Sequence, residues 1–198
     1  MDLHGKRIIL ASGSPRRREL LKGLDIDFTV DTGNSSTESV PEGTSYDQVP
    51  VLMAEGKSAG FHRPLEDNEI LITADTMVIL PPSEGRGGEI LGKPRDAEDA
   101  ARMLRDLSGR KHHVTTAVTI RSNALKDTFT ATTEVWFKPL SEDEISYYID
   151  TYKPFDKAGA YAIQEWIGHV GITRIEGSYF NVVGFPVQRV WEHLQAFL

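Results

Sequence analysis

Residues 7–21 read RIILASGSPRRRELL, and they decide the class of fold. Arg7 to Ala11 is an apolar run of strand length. Ser12-Gly13-Ser14-Pro15 breaks it, and Leu20, Leu21 and Leu24 then fall on one helical face. Pro15 suits the first helical position and Ser14 the N-cap before it. A strand that stops at a small-residue turn and hands over to a helix leaves backbone N–H groups pointing outward, which is a recurring arrangement for binding anions. The hydroxyls of Ser12 and Ser14 and the guanidinium groups of Arg16, Arg17 and Arg18 add donors. Successive helical residues project about 100° apart, so three arginines cannot all meet one ligand. Arg16 is the first candidate and Arg17 the second. The same residues also fit a capped helix with a solvated basic first turn. Against that, basic side chains there oppose the helix dipole by ~0.3–1 kcal/mol each, which a nearby anion would offset.

Outward from this stretch, strands and helices alternate. Asp27 to Val30 reads as a second strand and residues 31–45 as a polar loop. Tyr46 to Phe61 reads as a helix with Val49, Leu52, Met53 and Ala59 inward. Glu69 to Leu80 reads as a strand pair or one long strand. Pro81 to Gly88, with its prolines and glycines, reads as a flexible excursion. Asp96 caps a helix to about Leu107 with Ala100, Met103 and Leu104 inward, and Ser108-Gly109 ends it. His113 to Arg121 and Thr128 to Phe137 alternate as two strands of a hairpin. Ser141 and Glu144 form a capping-box pattern opening a helix to about Tyr152. A glycine- and aromatic-rich stretch runs from Pro154 to Pro186, and a last helix from about Pro186 to Phe197. The fold class is therefore α/β, a mixed sheet flanked by helices.

The chain has 198 residues, a net charge of -7 and no cysteine. That length suits one domain spanning 1–198, with or without two lobes. Without cysteine there are no disulfides, thiolate nucleophiles or thiolate metal sites. The negative charge argues against nucleic acid as a partner. The apolar runs are too short to cross a bilayer, and nothing near Met1 reads as a signal peptide, so a cytoplasmic protein is expected.

Two more places carry candidate chemistry. Lys93, between Gly92 and Pro94, could clamp a phosphate or simply be an exposed loop lysine. Asp75 lies in Thr73-Ala74-Asp75-Thr76 within an otherwise apolar strand, where a carboxylate is costly unless it is paired, binds a metal or does chemistry. Glu38, in the loop after the second strand, could be a second carboxylate or a solvated one. The six histidines show no metal-ligand spacing, so zinc is not expected, and His112 and His113 read as the start of a strand.

ILASGSPRRRELL, ITADTMV, LGKPRDAEDAARMLRDLSG, HHVTTAV, PFDKAGAYAIQ and IEGSYFNVVGFPV, in this order, resemble the Maf family of nucleotide pyrophosphatases from Arg7 to the C-terminal helix. The resemblance implies an elongated α/β fold with two lobes around a central nucleotide-binding cleft. It implies cleavage of nucleoside triphosphates between the α- and β-phosphorus atoms with a divalent metal, Mg²⁺ or Mn²⁺. Carried over by position, the catalytic aspartate falls on Asp75, the specificity positions on Arg16, Thr76 and Gln164, and two lysines on Lys57 and Lys93. The early acidic position falls on Glu38, which with Asp75 would supply the metal ligands. DKAGAYAIQ resembles the dTTP/UTP subgroup, whereas a sister subgroup associated with 7-methyl-GTP differs near Lys157 and Gln164. A Gln164 amide can accept and donate against the uracil edge, and Lys157 can donate to a carbonyl or phosphate. Ala162 and Glu165 stand where the family pattern usually has glycine, and Gly56 stands where an acidic residue is often found. The resemblance also admits a homodimer and a different role, that of a non-enzymatic nucleotide-binding regulator of cell division.

Overall fold

The computed structural model describes residues 3–35, 40–82 and 88–198. Glu38 and the centre of the expected Pro81–Gly88 excursion lie outside the described residues. The strands form a seven-stranded mixed sheet in the order β2-β1-β3-β5-β6-β7, with β4 paired to β3. β1 (Arg7–Leu10) pairs in parallel with both β2 (Phe28–Val30) and β3 (Glu69–Leu80). Parallel strands need crossover connections, and α1 (Pro15–Lys22) and α2 (Val49–Ala59) lie in the two that are required. The residues at the centre of this ladder, Ile8 to Leu10 and Ile70 to Ile72, are buried without alternation, as expected of strands covered on both faces.

β4 (Glu89–Leu91) runs antiparallel to β3, and α3 (Ala97–Leu107) follows it, capped by the Asp96 side chain. β5 (Lys111–Arg121) and β6 (Lys126–Phe137) form a hairpin whose turn is closed by Ser122 N–H donating to the Leu125 carbonyl. Paired hydroxyls, Thr115 with Thr132 and Thr119 with Thr128, mark its register. α4 (Glu142–Tyr152) opens on the capping box expected from Ser141 and Glu144. The stretch from Pro154 to Pro186 resolves into a single-turn 3-10 helix, α5 (Trp166–Gly171), β7 (Ile172–Glu176) and α6 (Tyr179–Val183), after which α7 (Val187–Leu194) and a 3-10 turn complete the chain.

The expected inner face of α2 is wrong in two places. Leu52 and Ala59 are exposed, and the buried positions are Val49, Pro50, Ala54 and Ser58. The helix begins three residues later than expected. Its register is set by Thr73, whose hydroxyl donates to the Ala54 carbonyl at 2.8 Å, rather than by its largest apolar side chains.

The chain divides into two compact units. The first comprises residues 1–75, 116–131 and 184–198, and the second residues 76–115 and 132–183. Each has its own apolar core. In the first, Ile8, Leu10, Leu21, Ile70 and Ile72 pack with Phe129, Phe185 and Leu194. In the second, Leu91, Met103 and Leu104 pack with Val135, Phe137, Tyr148 and Ile167. No helix among the described residues is long and apolar enough to cross a membrane.

His112 lies in the core of the second unit, stacked on Phe137 with Nε2 2.7 Å from the Tyr161 hydroxyl. Burial, aided by His113, pushes its pKa down to about 3. An unfolded histidine titrates near 6.5, so the unfolded chain takes up a proton that the folded chain refuses. Stability should therefore fall as pH drops below 6.5, approaching ~1.4 kcal/mol per unit for this one group. His112→Phe is expected to remove that slope between about pH 6.5 and 5, before most carboxylates titrate. Urea unfolding of both proteins across this interval measures it.

Candidate active site

In the first unit the turn after β1 is organised around Arg17. Ser14 caps α1 by accepting the Arg17 N–H. The Arg17 side chain is half-buried, and its guanidinium reaches three neighbouring acceptors. Nη1 donates to the Ala74 carbonyl at 2.8 Å and to Ser12 Oγ at 3.3 Å, and Nε donates to the Gly184 carbonyl at 3.0 Å. Burial lowers its pKa to about 10, with Asp75 acting to raise it and Arg16 to lower it further. The group stays charged at neutral pH.

Asp75 follows the carbonyl that Arg17 holds. Its Oδ1 lies 2.5 Å from Lys57 Nζ, and both side chains are largely withdrawn from solvent, at 14% and 24% exposure. Two rungs join α2 to β3. Thr73 bonds Ala54, and two strand residues later Asp75 meets Lys57, three helix residues later. Those spacings keep each pair on one face of its own element. The ammonium offsets the cost of placing a carboxylate in an apolar strand.

The second unit gathers another set. Lys93 is exposed on the loop after β4, and Thr76 and Gln164 are half-buried. The Gly92 carbonyl accepts the Gly159 N–H at 3.0 Å, which joins the Lys93 loop to the 157–160 turn. Gly159 has φ +68°, and a Cβ there would come within 2.9–3.0 Å of Val78, so this approach requires glycine. Lys157 is buried, with Nζ 2.7 Å from Asp156 and 3.4 Å from Glu165. Glu165 also accepts a short hydrogen bond from the Tyr148 hydroxyl.

The sequence model of the Maf-like proteins matches residues 7–197. The chain belongs to the Maf family. It is 46% identical over 198 residues to a protein of Porphyromonas gingivalis W83 named dTTP/UTP pyrophosphatase, covering 99% of this chain and 96% of that one. It is 45% identical over 194 residues to a protein of the same name from Bacteroides fragilis YCH46, covering 98% and 97%. A third relative with that name, from Flavobacterium johnsoniae, is 43% identical over 188 residues, covering 95% and 93%. Among solved structures, the Ham1 protein of Staphylococcus aureus shares the fold, with a TM-score of 0.51 at 15% identity, covering 95% of this chain and all of that one.

Among the residues expected from the Maf pattern, Ser12, Ser14, Arg16, Arg17, Lys57 and Asp75 fall in the first unit, and Thr76, Lys93, Lys157 and Gln164 in the second. Of the two candidate arginines, Arg17 is tied to Ser12 and to the backbone before Asp75. Glu38 lies outside the described residues. Among those described, no three His, Asp or Glu side chains cluster as a metal site. Tyr148 and Glu165 escaped sequence reasoning. Tyr148 sits in a helical apolar stripe with Ile145 and Ile149 and carries no motif, and Glu165 drew notice only as a departure from glycine.

A lysine cannot reproduce the three-way fork at position 17. Arg17→Lys is expected to lower stability by about 2 kcal/mol, read as a shift in the urea midpoint at unchanged m-value.

Proposed function

We propose that this Maf-family chain hydrolyses the pyrimidine nucleoside triphosphates dTTP and UTP to the monophosphate and pyrophosphate. The reading is supported by the shared name of its relatives, dTTP/UTP pyrophosphatase. The observation that carries it is the Lys57–Asp75 pair beside the half-buried Arg17. A carboxylate flanked by fixed positive charge is what attack of water on a phosphoanhydride requires, because that reaction depends mainly on positioning and charge stabilisation.

In this mechanism Ser12, Ser14, Arg16, Arg17 and Lys57 donate to phosphate oxygens, and Lys93 is assigned the same task. Asp75 orients a water and takes its proton as the oxygen bonds to the α-phosphorus. The bond from that phosphorus to the bridging oxygen breaks, and pyrophosphate leaves. Lys57 steers the carboxylate by holding Oδ1. Gln164 and Thr76 are assigned to the base, and Lys157 to one of its carbonyl oxygens. Asp75 is a hard oxygen donor and suits Mg²⁺ or Mn²⁺, which take many ligands from water and phosphate. In the alternative assignment Asp75 would hold such an ion with Glu38 instead of acting as the base, and the ion would supply charge neutralisation. We further assign the chain to the cytoplasm, to small-molecule nucleotides rather than nucleic acid or membrane, and to a homodimer.

The test incubates the pure protein with dTTP or UTP and Mg²⁺ and measures pyrophosphate. Folded Asp75→Asn is expected to lose about 10²–10⁴-fold in turnover. Wild-type turnover in that variant removes Asp75 from the mechanism, and no release by the wild-type protein removes the reading itself. Excess EDTA is expected to abolish release and added Mg²⁺ to restore it. Full activity in the chelator overturns the metal assignment.

A further inference from the structure

Gln164 Oε1 is buried and has no hydrogen-bond partner among the described residues. Buried polar atoms are nearly always satisfied, and an orphan is costly. Within the described residues its lone pairs are unspent. Its neighbours are bonded to one another. The Tyr148 hydroxyl accepts the Ala162 N–H at 3.1 Å and donates to Glu165 Oε2, so one phenol grips the backbone before Gln164 and the side chain after it. Tyr148 is fully buried and stacks on Tyr152. Burial and the Glu165 carboxylate push its pKa up, so it remains a donor. Glu165 extends the grip, with Oε1 3.4 Å from the Lys157 ammonium that Asp156 holds on its other side. The chain then turns tightly. Gly168 N–H donates to the Glu165 carbonyl at 2.9 Å, and a Cβ on Gly168 would sit 1.9 Å from the Ile163 carbonyl oxygen.

We propose that Tyr148 and Glu165 are positioning residues that set base selectivity, by fixing the Gln164 acceptor and the Lys157 donor relative to one another. The proposal rests on the nucleotide reading above. A uracil or thymine ring offers an N3–H beside a C4 carbonyl, which meets an acceptor and then a donor. Cytosine offers a bare N3 beside an amino group and opposes both. Two groups held at fixed separation make that distinction, and loosened ones lose it. Neither Tyr148 nor Glu165 is assigned a contact with the reacting phosphorus.

The experiment compares kcat and KM for UTP, dTTP and CTP in the wild-type protein, Tyr148→Phe and Glu165→Gln. Tyr148→Phe removes both bonds of the phenol. It is expected to lower the UTP-to-CTP ratio of kcat/KM by about 10-fold or more, through KM for UTP, with saturated kcat within about 3-fold of wild type. Glu165→Gln keeps an acceptor for Tyr148 but loses the charge beside Lys157, so an intermediate ratio is expected. Should Tyr148→Phe fail to fold, Glu165→Gln and Glu165→Gly carry the same comparison. A ratio within about 2-fold of wild type in the folded variants, or an equal loss of kcat on every substrate, overturns the positioning role while leaving the activity intact. Absence of pyrophosphate release by the wild-type protein from any of the three overturns the nucleotide reading and this proposal with it.

Discussion

A guanidinium drawn partly out of water must find acceptors that are already fixed, because mobile ones would not offset the hydration it loses. Arg17 meets this demand with groups from three separate stretches: a hydroxyl of its own turn, a carbonyl of β3 and the carbonyl of Gly184. The demand works in reverse as well. The first turn of α1, the strand carrying Asp75 and the entry to the last helix must all reach the same few ångströms for Arg17 to be tolerated. The placement of Asp75 follows from it, since Ala74, whose carbonyl is held, is the residue before. Lys57 then completes the arrangement from α2, at the end of a second tie between that helix and β3. Positive charge and carboxylate are thereby brought together within one unit by contacts that also hold the unit together.

Much of this was legible in the sequence wherever the signal is local. The Ser14-Pro15 helix start, the Asp96 cap and the Ser141–Glu144 capping box depend on neighbours within four residues, and each was read correctly. Asp75 stood out because an apolar strand gives a carboxylate no local reason to be there. Which arginine of the first turn bonds to the sheet was not legible. It depends on which side of a two-turn helix meets the sheet, and α1 has only one fully buried residue, Leu21, to declare that side. The inner face of α2 failed for a related reason. A buried hydroxyl bond set its register, and Thr73 and Ala54 advertise nothing in a hydrophobic pattern. The elements between Pro154 and Pro186 are five or six residues long at most, below the length at which periodicity can be counted.

The likeness to the Ham1 protein at 15% identity concerns architecture alone. A sheet with helices on it can be kept by many apolar sequences. What separates chains that share it is a small number of polar atoms in places where water is scarce. Here these include an ammonium on a strand carboxylate, a phenol bonded on both sides of an amide, and an amide oxygen with no mate among the described residues.

The division into two units has a consequence for the chain as an object of engineering and descent. The polypeptide passes from one unit to the other after residues 75, 115, 131 and 183, and the first three of these passages fall inside β3, β5 and β6. Neither unit is a continuous segment, so no single cut releases one intact and no simple splice replaces one with a foreign counterpart. An insertion or deletion in any of those strands would disturb residue alternation in both cores at once. Variation in length is therefore best tolerated in the connections between elements, and the two halves must be inherited as a pair.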